Sequence, residues 1–188
     1  MAQYVTRGGD KLEFALERFQ ADVSGRTVAD LGSHIGGFVD CLLQRGAARV
    51  YSVDTSYGTL AWTLRQDERV VVMERTNALH VELPEEVSLA TIDVGWTKQH
   101  LILPRAIRMV GPGGVVLSLL KPQYEAERGK AERGVVTRTA ARDIAGRVID
   151  ALARQGIRVA DWAESPITGG KGNTEFFLRI DRERGGDK

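Results

Sequence analysis

A glycine-rich turn is the first segment of this sequence that could do chemistry. It lies within residues 30–38 and has the pattern Gly-x-x-x-Gly-Gly, with a predicted strand before it and a predicted helix after it. Glycines let the backbone turn tightly and approach a ligand closely, and the free N–H groups of the following helix favour an anionic group. The spacing differs from the Gly-x-Gly-x-x-Gly pattern of dinucleotide folds and from the P-loop, which disfavours nicotinamide and ATP chemistry.

An acidic residue ends the next predicted strand, 22 residues beyond Gly32. An acid in that place, here Asp54, can accept hydrogen bonds from both ribose hydroxyls of a nucleoside. The turn and the acid together fit a ligand with an adenosine half and a carboxylate, such as S-adenosylmethionine. A strand-end aspartate is also common as a turn or cap residue, so neither feature is specific by itself.

The elements that must position these residues alternate along the chain. Apolar runs predict strands at residues 27–31, 49–53, 69–73, 89–94, 113–120, 157–160 and 175–180. Amphipathic runs predict helices at residues 10–20, 38–45, 57–65, 101–110 and 139–155. Strands that are apolar on both faces and alternate with helices favour an α/β fold with a doubly wound, mostly parallel sheet of about seven strands.

Length predicts a single domain over residues 1–188. We divide it into an N-terminal helical preface at 1–25, a core at 26–181 and a polar tail at 182–188. Cys41 is the only cysteine, which excludes an internal disulfide and a thiolate metal cage, and no other spacing suggests a metal site. Without an apolar leader or a membrane-length apolar run, we expect a cytoplasmic protein that makes no membrane contact.

Charge is balanced overall but uneven along the chain. The 26 basic and 25 acidic residues exclude a globally basic nucleic-acid binder, although not a local basic patch. Residues 121–147 carry seven basic and four acidic side chains, an excess of +3, whereas residues 27–120 carry eight and ten, a net −2. A polar loop predicted at 124–136 and the helix after it are therefore the best candidate for a polyanion contact. The alternative is a solvated helix face.

Longer sequence blocks carry a family resemblance. They lie at residues 6–12, 36–47, 60–62, 69–77, 120–125, 165–169 and 172–176, and include Thr-Arg-Gly-Gly-Asp-Lys-Leu, Leu-Lys-Pro-Gln-Tyr-Glu and Gly-Asn-Thr-Glu-Phe. On these blocks the chain resembles the TlyA, or haemolysin-like, branch of the FtsJ-type ribose methyltransferases over nearly its whole length. The resemblance implies the Rossmann-like fold of class I methyltransferases that use S-adenosylmethionine.

The resemblance also implies a reaction and its residues. FtsJ-type enzymes methylate a ribose 2′-hydroxyl of RNA and release S-adenosylhomocysteine, which makes structured RNA, most simply ribosomal RNA or a ribosomal subunit, the expected partner. Their Lys-Asp-Lys-Glu catalytic tetrad matches Lys11, Asp93, Lys121 and Glu175. The candidate donor-binding residues are Gly32, Ser33, His34, Gly36, Gly37, Phe38, Asp54, Asn77 and Asp93.

The tetrad suits the chemistry of a ribose hydroxyl, which is a poor nucleophile that must be aimed and relieved of its proton. A lysine can help if part of its population is neutral, and burial or a second lysine lowers its pKa. We expect Lys121 and Asp93 at the ends of neighbouring strands, Lys11 as the second positive charge, and Glu175 holding the lysine in position. The structural alternatives are an exposed first-turn lysine at 11, a helix cap at 93 and an edge-strand ion-pair partner at 175.

The sequence departs from the family in three places. The usual family member carries an N-terminal S4-type RNA-binding domain, and this sequence matches the catalytic domain only, so RNA selection would rest on that domain, a partner or another substrate. The donor loop has His34 and Ile35 where small residues are usual; they would crowd the donor, or His34 would contact its carboxylate. After Asp93 the chain has Gly95-Trp96, and Trp96 would either stack on a base or fill a packing space.

Three functions remain open on the sequence alone. The first is an S-adenosylmethionine-dependent RNA 2′-O-methyltransferase. The second is a catalytically inactive methyltransferase-like protein that binds RNA or the ribosome. The third is a small-molecule O-methyltransferase, which the modest net charge allows. The oligomeric state is not predicted.

Overall fold

The computed structural model describes residues 3–126 and 134–183. The loop predicted at 124–136 lies partly outside the described residues, and so does part of the basic segment at 121–147. Most of the tail predicted at 182–188 lies outside them as well.

Seven strands form a sheet in the order β3-β2-β1-β4-β5-β7-β6. They are β1 (Thr27–Leu31), β2 (Arg49–Val53), β3 (Val70–Met73), β4 (Val87–Ile92), β5 (Val110–Leu120), β6 (Asp161–Glu164) and β7 (Phe176–Asp181). Strands β1 to β5 run parallel, whereas β7 is antiparallel to both of its neighbours. The predicted doubly wound, mostly parallel sheet is confirmed.

Helices cover both faces of the sheet. They are α1 (Gly8–Arg18), α2 (Gly37–Gln44), α3 (Trp62–Arg65), α4 (Gln99–Met109), α5 (Pro122–Glu125) and α6 (Arg138–Arg154). Leu12 of α1 and Leu42 of α2 belong to the core on one face, while Ile102 of α4 and Ile144 of α6 belong to the core on the other. Within the described residues, no helix is long and apolar enough to cross a membrane.

The continuous apolar run of β5 follows from this layering. Successive side chains of a strand point to opposite faces, so a strand with two covered faces is apolar at most positions. The buried polar exception is Ser118, whose hydroxyl donates to Gln99 Oε1 at 2.7 Å. Leu117 and Leu119 pack into the core beside α1 and α2, whereas Val116 and Leu120 pack into the core beside α4 and α6.

Two predicted elements are displaced. The strand predicted at 157–160 is instead Asp161–Glu164. All four of its residues are half-buried, so their hydrophobic pattern carries no register information, and pairing with β7 decides the position. The helix predicted at 57–65 is reduced to Trp62–Arg65, because Gly58 has a left-handed backbone with φ of +71° that breaks the helix.

The sheet places four chemically important residues at one edge. Strand order reverses between β1 and β4, and the carboxyl ends of parallel strands at such a point form a crevice. Gly32 directly follows β1, Asp54 follows β2, Asp93 follows β4 and Lys121 follows β5. Sequence positions up to 89 residues apart thereby meet at one crevice.

Candidate active site

A cavity of about 590 Å³ occupies this crevice. That volume lies within the range of small-molecule sites. Its lining includes every residue predicted to bind the donor, namely Gly32, Ser33, His34, Gly36, Gly37, Phe38, Asp54, Asn77 and Asp93. Of the predicted tetrad, Asp93 and Lys121 line the cavity, whereas Lys11 and Glu175 are not among its lining residues.

The cavity wall also contains residues that sequence reasoning missed. Thr6 precedes α1 and Gly8 begins it, Thr76 lies in the loop after β3, and Tyr124 lies in α5. All four lie inside sequence blocks that carry the family resemblance, at 6–12, 69–77 and 120–125, so those blocks were the available signal. The chemistry of the individual side chains gave no signal that these residues line the cavity.

The glycine turn requires glycine for two separate reasons. Gly32 has a φ of +93°, a backbone conformation that residues with a Cβ rarely adopt. A Cβ at this position would also lie 2.6 Å from the carbonyl oxygen of Asp93. The absence of a side chain therefore lets the β1 turn pack directly against the backbone that presents Asp93.

Gly32→Ala is expected to destabilise the fold by about 1–3 kcal/mol more than Gly156→Ala, because only the first adds overpacking to backbone strain. Gly156 is the matched control, with a φ of +78° and nothing within 4 Å of the added Cβ. Urea unfolding of the two variants measures the difference. Equal losses of stability would show that the contact with Asp93 does not constrain the turn.

Asp54 is held by its neighbours in a fixed orientation. Its Oδ2 accepts the backbone N–H of His34 at 2.9 Å, and its Oδ1 accepts the N–H and the hydroxyl of Ser56 at 2.7 and 2.6 Å. Burial raises the pKa of Asp54, but the hydrogen bonds from Ser56 and His34 outweigh burial and hold this pKa below its usual range. The carboxylate is therefore ionised and preorganised at neutral pH.

These bonds restrict how Asp54 can take a ligand. A carboxylate has about four acceptor positions, and three are occupied here. One position remains on Oδ2, so the expectation of two accepted ribose hydroxyls holds only if the Ser56 hydroxyl turns away. Thr59 Oγ1 lies 2.6 Å from that hydroxyl and offers it the alternative partner.

The bulky donor-loop residues leave the cavity open. His34 and Ile35 both line it, yet both are exposed. The N–H of His34 is turned to Asp54 by a left-handed φ of +49°, and the carbonyl of Ile35 accepts the N–H of Ala61. Backbone contacts therefore fix the loop, and a cavity of about 590 Å³ remains beside it.

Asp30 is a buried carboxylate that the sequence analysis did not single out. Its Oδ1 accepts the hydroxyl of Thr91 at 2.6 Å, while its Oδ2 has no hydrogen-bond partner among the described residues. Burial raises the pKa of Asp30 to about 7, with smaller contributions from the charges of Asp93 and Asp54. The carboxyl group of Asp30, near the end of β1, therefore carries a proton that can be lost near neutral pH.

Asp30→Asn is expected to remove a pH-dependent loss of stability. Because the folded-state pKa of Asp30 is raised to about 7 from 3.8, its stabilising contribution is full below pH 3.8 and is lost as pH rises to about 7. The loss is on the order of 4 kcal/mol at full effect. Urea unfolding between pH 4 and 8 should show a flatter profile for Asp30→Asn than for wild type, and identical profiles would contradict the assignment.

Lys121 and Asp93 form an ion pair in the cavity wall. Lys121 Nζ lies 2.5 Å from Asp93 Oδ1, although the pair lacks the alignment of a hydrogen bond. Both side chains keep partial contact with the cavity, at 17% and 28% exposure. The pairing places a cation and an anion where a substrate hydroxyl could reach both.

Lys11 and Glu175 form a second, more deeply buried ion pair. Lys11 Nζ lies 2.6 Å from Glu175 Oε2, and the two side chains are only 8% and 3% exposed. This excludes an exposed first-turn lysine, and it shows that the lysine held by Glu175 is Lys11 rather than Lys121. The pair stands next to the other one, because β5 pairs Leu120 with Phe176 and the next residues along are Lys121 and Glu175.

Trp96 forms an exposed aromatic pair at the cavity mouth. Its ring is 84% exposed and lies 4.8 Å from the ring of Tyr124, tilted by 39°. A packing role in the core is therefore wrong for this residue. The backbone of Trp96 is left-handed, with a φ of +63°, which is uncommon for a residue with a side chain.

Within residues 3–126 and 134–183, no group of three or more His, Cys, Asp and Glu side chains could hold a metal ion. Among the basic side chains of segment 121–147, Arg138 pairs with Glu164 at 2.8 Å and Arg142 lies over the Trp162 ring.

Comparison with a model of the FtsJ-like methyltransferases gives a match over residues 4–182. The chain belongs to the FtsJ-like methyltransferase family. The predicted resemblance is thereby confirmed, and the four residues predicted as the tetrad form the two ion pairs described above.

Individual relatives agree with the family assignment. The chain is 44% identical over 187 residues to the protein YqxC of Bacillus subtilis, covering 95% of this chain and 66% of YqxC. It is 38% identical over 183 residues to the 16S/23S rRNA (cytidine-2′-O)-methyltransferase TlyA of Mycobacterium tuberculosis, covering 93% of this chain and 67% of TlyA. The chain thus spans about two thirds of the length of these relatives.

A solved structure shows the same fold. A crystal structure from Lactococcus lactis, of a protein described as a hemolysin, superposes with a TM-score of 0.91 at 37% identity and covers 97% of this chain and 90% of that chain. The seven-stranded sheet and its helices are therefore shared with a close family member.

Proposed function

We propose that this FtsJ-like protein transfers a methyl group from S-adenosylmethionine to a ribose 2′-hydroxyl of ribosomal RNA. The observation that carries the proposal is the Lys121–Asp93 ion pair at 2.5 Å in the wall of the cavity that the glycine turn helps to form. The relative named for methylation of cytidine 2′-hydroxyls in 16S and 23S rRNA supports this substrate class.

The residues present fit S-adenosylmethionine. The free acceptor position of Asp54 suits a ribose hydroxyl. Gly32 lets the turn pack against the backbone of Asp93, which keeps both residues in the cavity wall. When bound, S-adenosylmethionine supplies a methyl group already activated by its sulfonium.

The remaining chemistry falls to the protein's own side chains. The 2′-hydroxyl must be aimed at the methyl carbon and must lose its proton. Lys121 Nζ is placed to accept that proton, and Asp93 Oδ1 holds the amine in place and stabilises the ammonium that forms. The buried Lys11–Glu175 pair holds the ends of α1 and β7 against the site, which makes both of them positioning residues.

A direct test uses the protein with tritiated S-adenosylmethionine and isolated bacterial 30S and 50S ribosomal subunits. Label in rRNA, mapped to a 2′-O-methyl nucleotide, is the expected result. Donor binding by calorimetry without transfer to either subunit or to deproteinised rRNA would favour a small-molecule O-methyltransferase. Absence of donor binding would favour an inactive protein that only binds RNA.

Trp96→Ala is expected to raise KM for the ribosomal substrate about tenfold without changing the dissociation constant of S-adenosylmethionine. Its exposed ring lines the same cavity as Lys121 and can stack on the base whose ribose is methylated, and such stacking contributes about 1–3 kcal/mol per base. Trp96→Phe is the matched control and should keep most of the affinity. A weaker donor affinity in Trp96→Ala would instead assign the ring to the donor side of the cavity.

A further inference from the structure

A second exposed aromatic group lies on the other flank of the cavity. The Tyr57 ring is 69% exposed, and the guanidinium carbon of Arg75 sits 4.2 Å from its centroid. We call this pair the Tyr57–Arg75 platform. One face of the ring is covered by the guanidinium, and the high exposure leaves the ring open to a further stacking partner.

Short-range hydrogen bonds hold the platform in place. The N–H of Arg75 donates to the carbonyl of Ser56 at 3.1 Å, and the N–H of Gly58 donates to Glu74 Oε1 at 3.0 Å. These two bonds tie the loop after β2 to the loop after β3. They also maintain a left-handed φ of +53° at Arg75, a conformation that a residue with a side chain keeps only when its surroundings impose it.

The charge of the platform is not neutralised by an acid within the described part of the chain. The neighbouring Glu74 carboxylate pairs with Arg65 and accepts the N–H of Gly58, so it is already engaged. None of the ion pairs among the described residues involves Arg75, whose guanidinium rests on the Tyr57 ring. An exposed guanidinium of this kind is suited to an anionic group such as a phosphate.

The platform stands at the rim of the cavity but at a distance from Lys121. Thr55 and Thr76, which line the cavity, lie close to Tyr57 and Arg75 in the chain. The platform follows β2 and β3, whereas Lys121 follows β5, three strands beyond β2 in the sheet. At about 4.8 Å per strand, the ends of β2 and β5 are on the order of 14 Å apart, which favours a different nucleotide from the one at Lys121.

From this geometry we propose that the Tyr57–Arg75 platform is a binding site for a second nucleotide of the RNA, a neighbour of the one that is methylated. The base stacks on the open side of Tyr57, and its phosphate pairs with the Arg75 guanidinium. The proposal rests on the proposed function, since it takes RNA as the substrate class. It assigns part of substrate selection to the catalytic domain itself.

The test measures binding of deproteinised 16S and 23S rRNA to the full chain by filter retention, which does not require catalysis. Tyr57→Ala and Arg75→Ala should each weaken binding about tenfold, because base stacking and a phosphate contact are lost. Arg75→Ala should also lower the slope of log affinity against log salt by about one. Tyr57→Phe keeps the stacking face and should bind like wild type.

Two controls separate the platform from other causes. Arg49→Ala removes another exposed arginine, at the opposite end of β2, and should leave the rRNA affinity unchanged. The donor affinity of both platform variants, measured by calorimetry, should also remain at the wild-type value, since neither side chain lines the cavity.

Wild-type rRNA affinity in Tyr57→Ala and Arg75→Ala would overturn the platform, and so would an equal loss in Arg49→Ala. A parallel loss of donor affinity would also overturn it, because the pair would then only support the loop. If the platform variants bind rRNA weakly as expected while the wild type transfers no methyl group, the proposed function fails and the nucleotide site stands.

Discussion

Lys121→Ala should lower kcat for RNA methylation by about 10²–10⁴-fold while leaving the affinity for S-adenosylmethionine close to that of the wild type. The expected loss is the usual contribution of a positioned general base. Lys121 stands in the cavity wall 2.5 Å from Asp93, so its removal takes away the proton acceptor without altering the glycine turn. Single-turnover transfer of a tritiated methyl group measures the rate, and calorimetry measures donor binding.

Lys121→Arg separates proton transfer from simple charge stabilisation. Arginine retains the positive charge and can pair with Asp93, but it stays protonated at any pH where the protein is folded. If Lys121 accepts the proton, the arginine variant should be as slow as the alanine variant. Substantial activity in Lys121→Arg would assign the residue a purely electrostatic role, and wild-type activity in Lys121→Ala would remove it from the mechanism.

Breaking the Lys11–Glu175 pair should produce the largest loss of stability of any substitution at the site. Each side chain is almost fully buried, at 8% and 3% exposure, and removal of one partner leaves the other charge uncompensated. Such a loss costs about 3–5 kcal/mol. Lys11→Met and Glu175→Gln, which keep the shape of the side chains, should each show it in urea unfolding.

The double variant Lys11→Met with Glu175→Gln provides the control. With both charges absent, no buried ion remains unpaired, so the combined loss should be much smaller than the sum of the two single losses. Additive losses would show that the two residues do not depend on each other. A loss below about 1 kcal/mol in either single variant would place the pair among ordinary surface ion pairs.

Local pattern was sufficient for most of the fold. The alternation of apolar runs and amphipathic runs is short-range information, and buried parallel strands such as β5 are apolar at most positions. Prediction was wrong where packing, not pattern, set the element. The edge strand Asp161–Glu164 takes its register from β7, and Gly58 ends a predicted helix through a backbone conformation that periodicity does not reveal.

The sequence predicted part of the candidate site and missed other parts of it. Every residue that residue types and family blocks predicted for donor binding lines the cavity, because those positions lie in contiguous motifs at strand ends. Asp30 was missed although it belongs to the glycine turn, since its importance comes from complete burial and an unpartnered oxygen. The Tyr57–Arg75 platform was also missed, because it forms only when the fold brings two separate loops together.

The sequence by itself determined the fold class and the glycine turn and predicted the four tetrad residues, because each depends on residue type and local order. Only the tertiary structure decided which lysine pairs with which acid. Lys11 pairs with Glu175, which is 164 residues away in the sequence, and Lys121 at the end of β5 pairs with Asp93 at the end of the neighbouring β4. Ion pairing and burial depend on which distant segments the sheet brings into contact, and a local sequence pattern does not contain that information.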